Sequence, residues 1–330
     1  MKRFSVFALV SAVLAVFPAA SQAETGPRAL RQPRVVSRPG PDGSPQIARR
    51  VGQAAAAGYS VQLNIVTRVV GLSFYRTAVD ITNNTSTDGV TAGVQYCFTS
   101  SGAFQGCTST QSILLHPFDS FHTDDVIDYL GNQLHVLPAD ATNASFGTFI
   151  VFFDGLPSGN GWEGTVTGRT YNAADNANPA AGTVAIAYPG SLFFESSTGS
   201  LVAIVRDTTL APTDAGALRT NLGVTNTALH NSTDPVDFSI SFYDVVTGQL
   251  VGNVLIPPHG LLPGEVFQFN DVFTAAHIPS NVESCIAFID ITSPQGALAL
   301  TIEGYVDILD AGTNDGAFFE FKCAVGCLSF

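Results

Sequence analysis

The chain has 330 residues, of which 45% are hydrophobic and 12% are charged, so it is too apolar and too lightly charged to be disordered. At the usual ~100 to 200 residues per domain, this length favours two domains, each large enough to bury a core. Residues 51–330 hold six basic and 25 acidic residues, a balance of −19. Such a surface repels phosphate groups, so we expect no nucleic-acid partner.

The first 23 residues have the pattern of a cleaved signal peptide. Met1-Lys2-Arg3 is basic, residues 4–17 are apolar, and a stretch of small residues ends at Ala23. The apolar run falls short of the roughly 20 residues that a membrane helix needs, and no later run is long enough. This pattern predicts export to the periplasm, the cell surface or the medium, and a mature chain with no transmembrane span.

Residues 24–57 are rich in Pro and Arg and show no apolar periodicity, which predicts a flexible basic linker. The charge contrast leaves open that this linker docks on an acidic body, its own or a neighbour's. From Tyr59 onward, short runs rich in Val, Ile, Thr and Phe alternate with Asn-Asn, Asp-Gly and Pro-Gly pairs. Such runs predict strands and turns. Helical turns are expected only at 124–130 and 270–276.

An internal repeat is the strongest signal in the sequence. Arg76–Asn83 matches Arg219–Asn226 at an offset of 143, and further segments match at offsets of 146 and 136. The offset changes only between segments, as loop insertions or deletions require. The fold class predicted is therefore all-β, with two tandem antiparallel β-sandwich domains of Ig-like or jelly-roll-like type. We place these domains at residues 58–195 and 196–330.

The second repeat has an Arg-Thr-Asn-Leu-Gly strand at Arg219–Gly223, followed by a hairpin and the pair Pro263-Gly264. These features resemble the tandem β-sandwich modules of uncharacterised exported bacterial proteins, over roughly residues 60–322. The first repeat departs from the pattern, with Ala78 and Asp80 in place of Asn and Gly, and Phe118 in place of the second Gly. The resemblance implies architecture and export, and it implies no activity.

Five cysteines in an exported chain predict structural disulfides. Cys97 and Cys107 are ten residues apart around a turn, as two strands of one hairpin would place them. Cys285, Cys323 and Cys327 form a C-terminal group in which one thiol stays unpaired or bridges to another chain. Zinc binding by the C-terminal group is the alternative, but the sequence offers no fourth ligand at a familiar spacing.

Two of the six basic residues of the body, Arg76 and Arg219, open the same strand of the two repeats. We expect each to form a structural ion pair that fixes the registry of its sandwich. The carboxylates that also recur are the expected partners, namely Asp125 or Asp271, and Asp154 or Asp290. The alternative is that each arginine holds a carboxylate ligand through its bidentate fork.

Two further groups of residues are weaker candidates for metal sites. His116, His122 and Asp124 have the even spacing that places residues on one face of a strand, although surface polar residues are the favoured interpretation. Asp310, Asn314 and Asp315 lie in a Gly-containing turn with the oxygen density of a calcium loop but not the spacing of an EF-hand. We expect no cofactor, because a plain polar turn is the favoured interpretation here and calcium binding is the alternative.

The chain has no Gly-x-Ser-x-Gly elbow, phosphate loop or dinucleotide fingerprint. Sugar-binding clefts are usually lined with tryptophan, and Trp162 is the single tryptophan of this chain. The sequence therefore predicts a non-enzymatic protein of the cell envelope or the extracellular space, acting in adhesion, assembly or ligand display. Its partner is expected to be an extracellular or envelope protein or a glycan. A hydrolase with a loop-assembled site, and a filament subunit that uses strand addition by the linker or by residues 61–66, are the alternatives.

Overall fold

The computed structural model shows an all-β protein with a few short helical turns, which confirms the predicted class. The residues described are 34–36, 59–70, 74–85, 89–154, 164–172, 185–192, 200–210, 216–227, 235–255, 260–291, 302–310 and 316–323. The predicted signal peptide and most of the predicted linker lie outside these ranges, as do Trp162, Asn314, Asp315 and Cys327. Among the described residues, no helix is both long enough and apolar enough to cross a membrane.

Ten strands between residues 59 and 192 form a first strand group. They are β2 (Tyr59–Val70), β3 (Phe74–Asn83), β4 (Val90–Ser100), β5 (Ala103–Cys107), β6 (Gln111–Leu115), β7 (Ser120–Thr123), β8 (Ser145–Asp154), β9 (Gly164–Asn172), β10 (Ala185–Pro189) and β11 (Ser191–Leu192). Sheet 1a has the order β4-β8-β2-β11, with β5 and β6 on the other edge of β4. Sheet 1b has the order β7-β3-β9-β10, and the β2–β3 hairpin joins the two sheets.

One short strand comes from the segment predicted as a linker. This strand, β1 (Arg34–Val36), pairs with β7 so that Arg34 lies opposite His122. The linker therefore adds a strand to the chain's own sheet at this point. Residues 61–66 lie inside β2, which pairs with β8 on one edge and with β11 and β3 on the other, so this segment is already an inner strand.

A second strand group repeats the same topology. Its strands are β12 (Ser200–Val205), β13 (Leu218–Asn226), β14 (Phe238–Asp244), β15 (Leu250–Leu255), β16 (Val266–Phe269), β17 (Ser284–Ile291), β18 (Ile302–Asp310), β19 (Gly316–Glu320) and β20 (Lys322–Cys323). Sheet 2a has the order β15-β14-β17-β12-β20, as in sheet 1a, and sheet 2b has the order β16-β13-β18-β19, as in sheet 1b. This shared order supports a duplicated module, while the division into two sandwich domains stays a prediction.

Short helices follow the edge strands β7 and β16. Helix α1 (Val126–Asp128) continues into a π-helical turn at Tyr129–Gln133, and α2 (Ala139–Asn143) leads into β8. Helix α3 (Val272–Ala275) occupies the corresponding place in the second group. Asp125 and Asp271 cap α1 and α3 by accepting backbone N–H bonds, which is the usual role of Asp at this position. Helical turns are therefore present at both places where the sequence predicts them, but the helix at Ala139–Asn143 was not expected.

Each group has its own hydrophobic core, built from the inward side chains of its two sheets. Strand alternation sends Val79 and Ile81 of β3 into the first core, and Leu222 and Val224 of β13 into the second. The turn before the edge strand is also the same in both groups. The last residue of β3, Asn83, donates its side-chain amide to the carbonyl of His116, and the last residue of β13, Asn226, donates to the carbonyl of Leu261.

The two groups contact each other through the outer faces of sheets 1a and 2b. Gln62 Nε2 on β2 donates to Glu303 Oε2 on β18 at 3.0 Å, and both side chains are buried. At another point of the contact, Gly264 lies against the disulfide of β4 and β5. Along one edge, the rings of Tyr188 and Phe318 are 5.1 Å apart. Because sheet 1a has its own core on one face and the second group on the other, it is buried on both sides.

Candidate functional site: a charged sheet face

The outer face of sheet 1b carries the main cluster of charged side chains in the first strand group. Alternation along β3, β7 and β9 places Arg76, Asp80, His122, Arg169 and Tyr171 on this side, opposite the core residues. We call these five residues the charged face. Asp80 and His122 are direct cross-strand partners, as are Arg76 and Tyr171. Strand registry therefore sets which side chains meet here.

His122 is held between two carboxylates. Its Nδ1 lies 2.7 Å from Asp80 Oδ1, and its Nε2 lies 3.2 Å from Asp124 Oδ1. Although partial burial by itself lowers the pKa of His122, the hydrogen bonds and charges of Asp80 and Asp124 outweigh it and raise the pKa above its usual value. Both ring nitrogens are thus engaged by carboxylates, which leaves neither of them free to act as a general base on a substrate.

The cluster of His116, His122 and Asp124, which the sequence offered only as the alternative to plain surface polar residues, forms in part. His122 and Asp124 do come together, but the third member is Asp80, which lies 42 residues earlier in the chain. His116 lies elsewhere, in a turn where its backbone N–H donates to Asp119 Oδ2 at 2.8 Å. Asp80 was missed because only the pairing of β3 with β7 brings it beside His122.

Two arginines and a tyrosine continue the charged face. The guanidinium carbons of Arg76 and Arg169 lie 5.0 and 5.5 Å from the centre of the Tyr171 ring, within cation–π range. The Tyr171 hydroxyl donates to the Asp124 carbonyl at 2.9 Å. Burial raises the pKa of Tyr171 to about 12, despite the nearby arginines. Since Arg169 is exposed, its guanidinium is accessible from solvent.

The buried carboxylate Asp125 pairs with Arg68, not with Arg76 as expected. Arg68 Nε lies 3.1 Å from Asp125 Oδ2, and Arg68 Nη1 also donates to the Thr142 carbonyl at 2.7 Å. Burial raises the pKa of Asp125, and the charges of Arg68 and, to a smaller degree, Arg76 oppose this shift. Arg68 occupies the position because β2 ends beside α1 and α2, whereas the side chain of Arg76 turns outward onto Tyr171.

The second strand group repeats this use of an arginine at the end of its first strand. Arg206, just after β12, donates to the carbonyls of Ile278, Pro279 and Val282, and its guanidinium lies 4.6 Å from the Phe273 ring centre. The cap residue Asp271 is close enough to raise the pKa of Arg206, against a larger lowering by burial. Arg219, the predicted partner of Asp271, has no ion pair within the described part of the chain.

The remaining predicted acidic residues are not brought to the charged face. Asp154 and Asp290 are exposed at or near the ends of β8 and β17, and neither forms an ion pair with a described residue. Asp310 ends β18 and accepts the backbone N–H of Gly216 at 2.8 Å. Asn314 and Asp315 lie outside the described residues, so calcium binding there stays a prediction. Within the described ranges, no group of three His, Cys, Asp or Glu side chains is placed to hold a metal ion.

The predicted disulfide between Cys97 and Cys107 is confirmed, and it joins two residues directly opposite each other on β4 and β5. Cys285 is a free thiol in the core of the second group. Burial raises the pKa of the Cys285 thiol to about 11, which suppresses its reactivity. For Cys323 only the backbone of β20 is described, and Cys327 lies outside the described residues, so their pairing remains untested.

No protein-family model matches this chain, and no curated protein matches it.

Proposed function

We propose that this chain is a non-enzymatic exported protein that acts in adhesion, assembly or ligand display in the cell envelope or outside the cell. The observation that carries the proposal is the state of His122, whose two ring nitrogens are both held by carboxylates on an open sheet face. A histidine held in this way has a fixed ring orientation and no ring nitrogen left for a substrate. Acid–base catalysis instead needs a ring nitrogen that is free to accept a proton.

Two features support the exported location. The N-terminal pattern of basic, apolar and small residues is typical of a signal peptide that is removed at Ala23. The disulfide between Cys97 and Cys107 suits an oxidising compartment, because cytosolic thiols are kept reduced. The compartment proposed is therefore the periplasm, the cell surface or the medium.

The partner proposed is an extracellular or envelope protein or a glycan that presents carboxylates. Arg169 is exposed, and Arg76 lies beside it over the same tyrosine ring. A guanidinium binds carboxylates through two parallel N–H donors, and an aromatic ring below it holds its plane in position. The rest of the body, with 25 acidic residues, repels anions, so binding of a carboxylate partner depends on these two cations.

A binding measurement with an acidic polysaccharide tests this assignment. We expect the purified protein to bind polygalacturonate in biolayer interferometry, and the variant Arg169→Ala to bind roughly tenfold more weakly, as the loss of one charge-assisted pair implies. Arg219→Ala is the matched control, because Arg219 lies in the other strand group and outside the charged face. Equal binding by all three proteins would remove the charged face from the proposal.

A turnover screen separates the proposal from the hydrolase alternative. Generic ester, glycoside and peptide substrates should show no hydrolysis above background. The result that overturns the proposal is clear turnover that disappears in the variant His122→Gln, since Gln keeps a polar side chain but cannot act as a base.

A further inference from the structure

The contact between the two strand groups serves as a template for a contact between chains. Within the chain, the outer face of sheet 1a packs on the outer face of sheet 2b. Sheet 2a has the topology of sheet 1a, and sheet 1b has the topology of sheet 2b. The second group therefore carries another copy of the first docking surface, and the first group carries another copy of its complement.

The exposure of equivalent residues shows that these second copies are uncovered. Registry aligns Thr167, Arg169 and Ala187 on sheet 1b with Tyr305, Asp307 and Phe318 on sheet 2b. The first three are exposed, whereas Tyr305 and Asp307 are buried and Phe318 is half-buried. On sheet 2a, the outer side chains include the exposed Ala203 and Tyr243 and the half-buried Ile286 and Phe288. The corresponding face of sheet 1a is fully buried at Cys97 and Ile150.

The turn before the edge strand is the most specific part of this template. In the second group it contains Gly264, which has a φ of +81° and lies against Cys97. In the first group the same turn contains Phe118, which has a φ of +59° and a side chain that is 69% exposed. The turns are equivalent because His116 N–H donates to Asp119 Oδ2 in one, and Leu262 N–H donates to Glu265 Oε2 in the other.

The hairpin that would receive this turn in the second group is also apolar and exposed. Both hairpins contain a β-bulge, and a cross-strand pair lies just before it in each. In β4–β5 this pair is the Cys97–Cys107 disulfide, and in β14–β15 it is the hydrogen-bonded pair Ser241 and Asn253. Beyond the bulge, the β14–β15 hairpin exposes four large apolar side chains, with Val246 at 85%. These side chains are Tyr243, Val245, Val246 and Leu250. Such a cluster is typical of a surface that a partner covers.

We infer that copies of this chain associate head to tail, with the charged face and Phe118 of one copy docked on sheet 2a and the β14–β15 hairpin of the next. This inference rests on the assembly role proposed above and names its partner as a second copy of the same chain. The ends are complementary in charge, since Arg169 lies on one surface and Asp290 lies exposed on the other. Since the contact joins two different surfaces, each added copy leaves both kinds of surface free at the ends of the row.

Sedimentation velocity on the full exported chain tests the inference. The mass-average mass of the wild type should rise with protein concentration. Phe118→Asp and Val246→Asp should each remain monomeric over the same range, because each raises the dissociation constant of self-association roughly tenfold or more. Leu210→Asp is the control, because Leu210 is an exposed apolar residue outside both surfaces. It should associate like the wild type. The melting temperature of each variant shows whether it is folded.

A mixing experiment checks the head-to-tail geometry. Phe118→Asp keeps an intact hairpin surface, and Val246→Asp keeps an intact charged face, so an equimolar mixture should form one-to-one dimers that do not grow. A mixture that stays monomeric, or a wild type that is monomeric at every soluble concentration, overturns the inference. If that wild type still binds polygalacturonate through Arg169, the proposed function stands without self-assembly, whereas substrate turnover overturns the proposed function itself.

Discussion

Gly264 lies directly against Cys97, so that a Cβ added to the glycine would be 2.7 Å from the cysteine Sγ. The backbone of Gly264 also has a φ of +81°, a value that residues other than glycine rarely adopt. Both constraints fall on a residue that joins the second strand group to the disulfide of the first. The position therefore reports on the packing between the groups.

Replacing this residue tests that packing. Gly264→Ala should lower the free energy of unfolding by about 2 kcal/mol or more, because the left-handed backbone alone costs about 1–2 kcal/mol for an L residue and the clash adds to it. Gly248→Ala is the matched control, since Gly248 has a φ of +69° and nothing within 4 Å of an added Cβ. Urea unfolding measures both. Equal losses would mean that the contact with Cys97 contributes nothing.

The buried carboxyl of Asp307 should make stability fall as pH rises. Burial raises the pKa of Asp307 to about 7, and its Oδ1 has no hydrogen-bond partner among the described residues. The unfolded chain releases this proton near pH 4 and the folded chain near pH 7, so stability declines across that window. Asp307→Asn should flatten the decline and gain up to about 4 kcal/mol at pH 8, at 1.36 kcal/mol per pKa unit. Asp290→Asn removes one carboxyl at an exposed site and is the control for the change in net charge.

The titration of His122 should depend on its two carboxylates. The hydrogen bonds to Asp80 and Asp124 raise its pKa, so the small stabilisation they give is complete below pH 6.5 and is lost as pH rises through the folded-state pKa. NMR titration of the ring protons should give a pKa above 6.5. Asp80→Asn should lower that value, while Asp140→Asn, in helix α2, should not move it. A His122 that titrates alike in all three proteins would contradict the bridging geometry.

Removing Arg68 should be far more harmful than removing Arg169. Arg68→Ala leaves the buried Asp125 without its ion-pair partner, and such a loss costs about 3–5 kcal/mol. The deficit should shrink at low pH, because protonation removes the charge of the buried Asp125 carboxyl, whose pKa is raised in the folded state. Arg169→Ala removes an exposed cation, so its free energy of unfolding should change by less than about 0.5 kcal/mol. Denaturant titrations at pH 7 and pH 4 measure both effects, and similar losses for the two variants would contradict the assignment.

Cys285 should be unreactive until the protein unfolds. Its thiol is buried in the second core, with a pKa raised to about 11. Iodoacetamide at pH 8 should leave Cys285 unmodified in the native protein and alkylate it in urea, as read by peptide mass spectrometry. Detection of Cys285 in a disulfide, or rapid labelling of the native protein, would overturn the assignment of a free core thiol.

The sequence predicted the features that depend on local pattern. Strand alternation, the turns and the Cys97–Cys107 pair all follow from neighbours in the chain or within one hairpin. The arginine that holds Asp125 was missed, because Arg68 and Arg206 lie near a bulged strand and loops of different length, where the sequence repeat is weak. The packing of the second strand group on the outer face of sheet 1a could not be predicted from the sequence. Gln62 and Asn64 alternate with Val61 and Leu63, a pattern typical of a strand with one solvent face, yet both are buried, and Gln62 bonds to Glu303 of the second strand group.

The burial of Cys97 constrains the order in which the protein matures. With the second strand group in place, this sulfur has no exposed surface, and the turn containing Gly264 covers it. Direct attack of an oxidant on the Cys97 sulfur therefore requires that the turn containing Gly264 has not yet packed against it. In the proposed export of the chain, the N-terminal half would leave the secretion channel first, and translocation would supply the interval in which the bond is made.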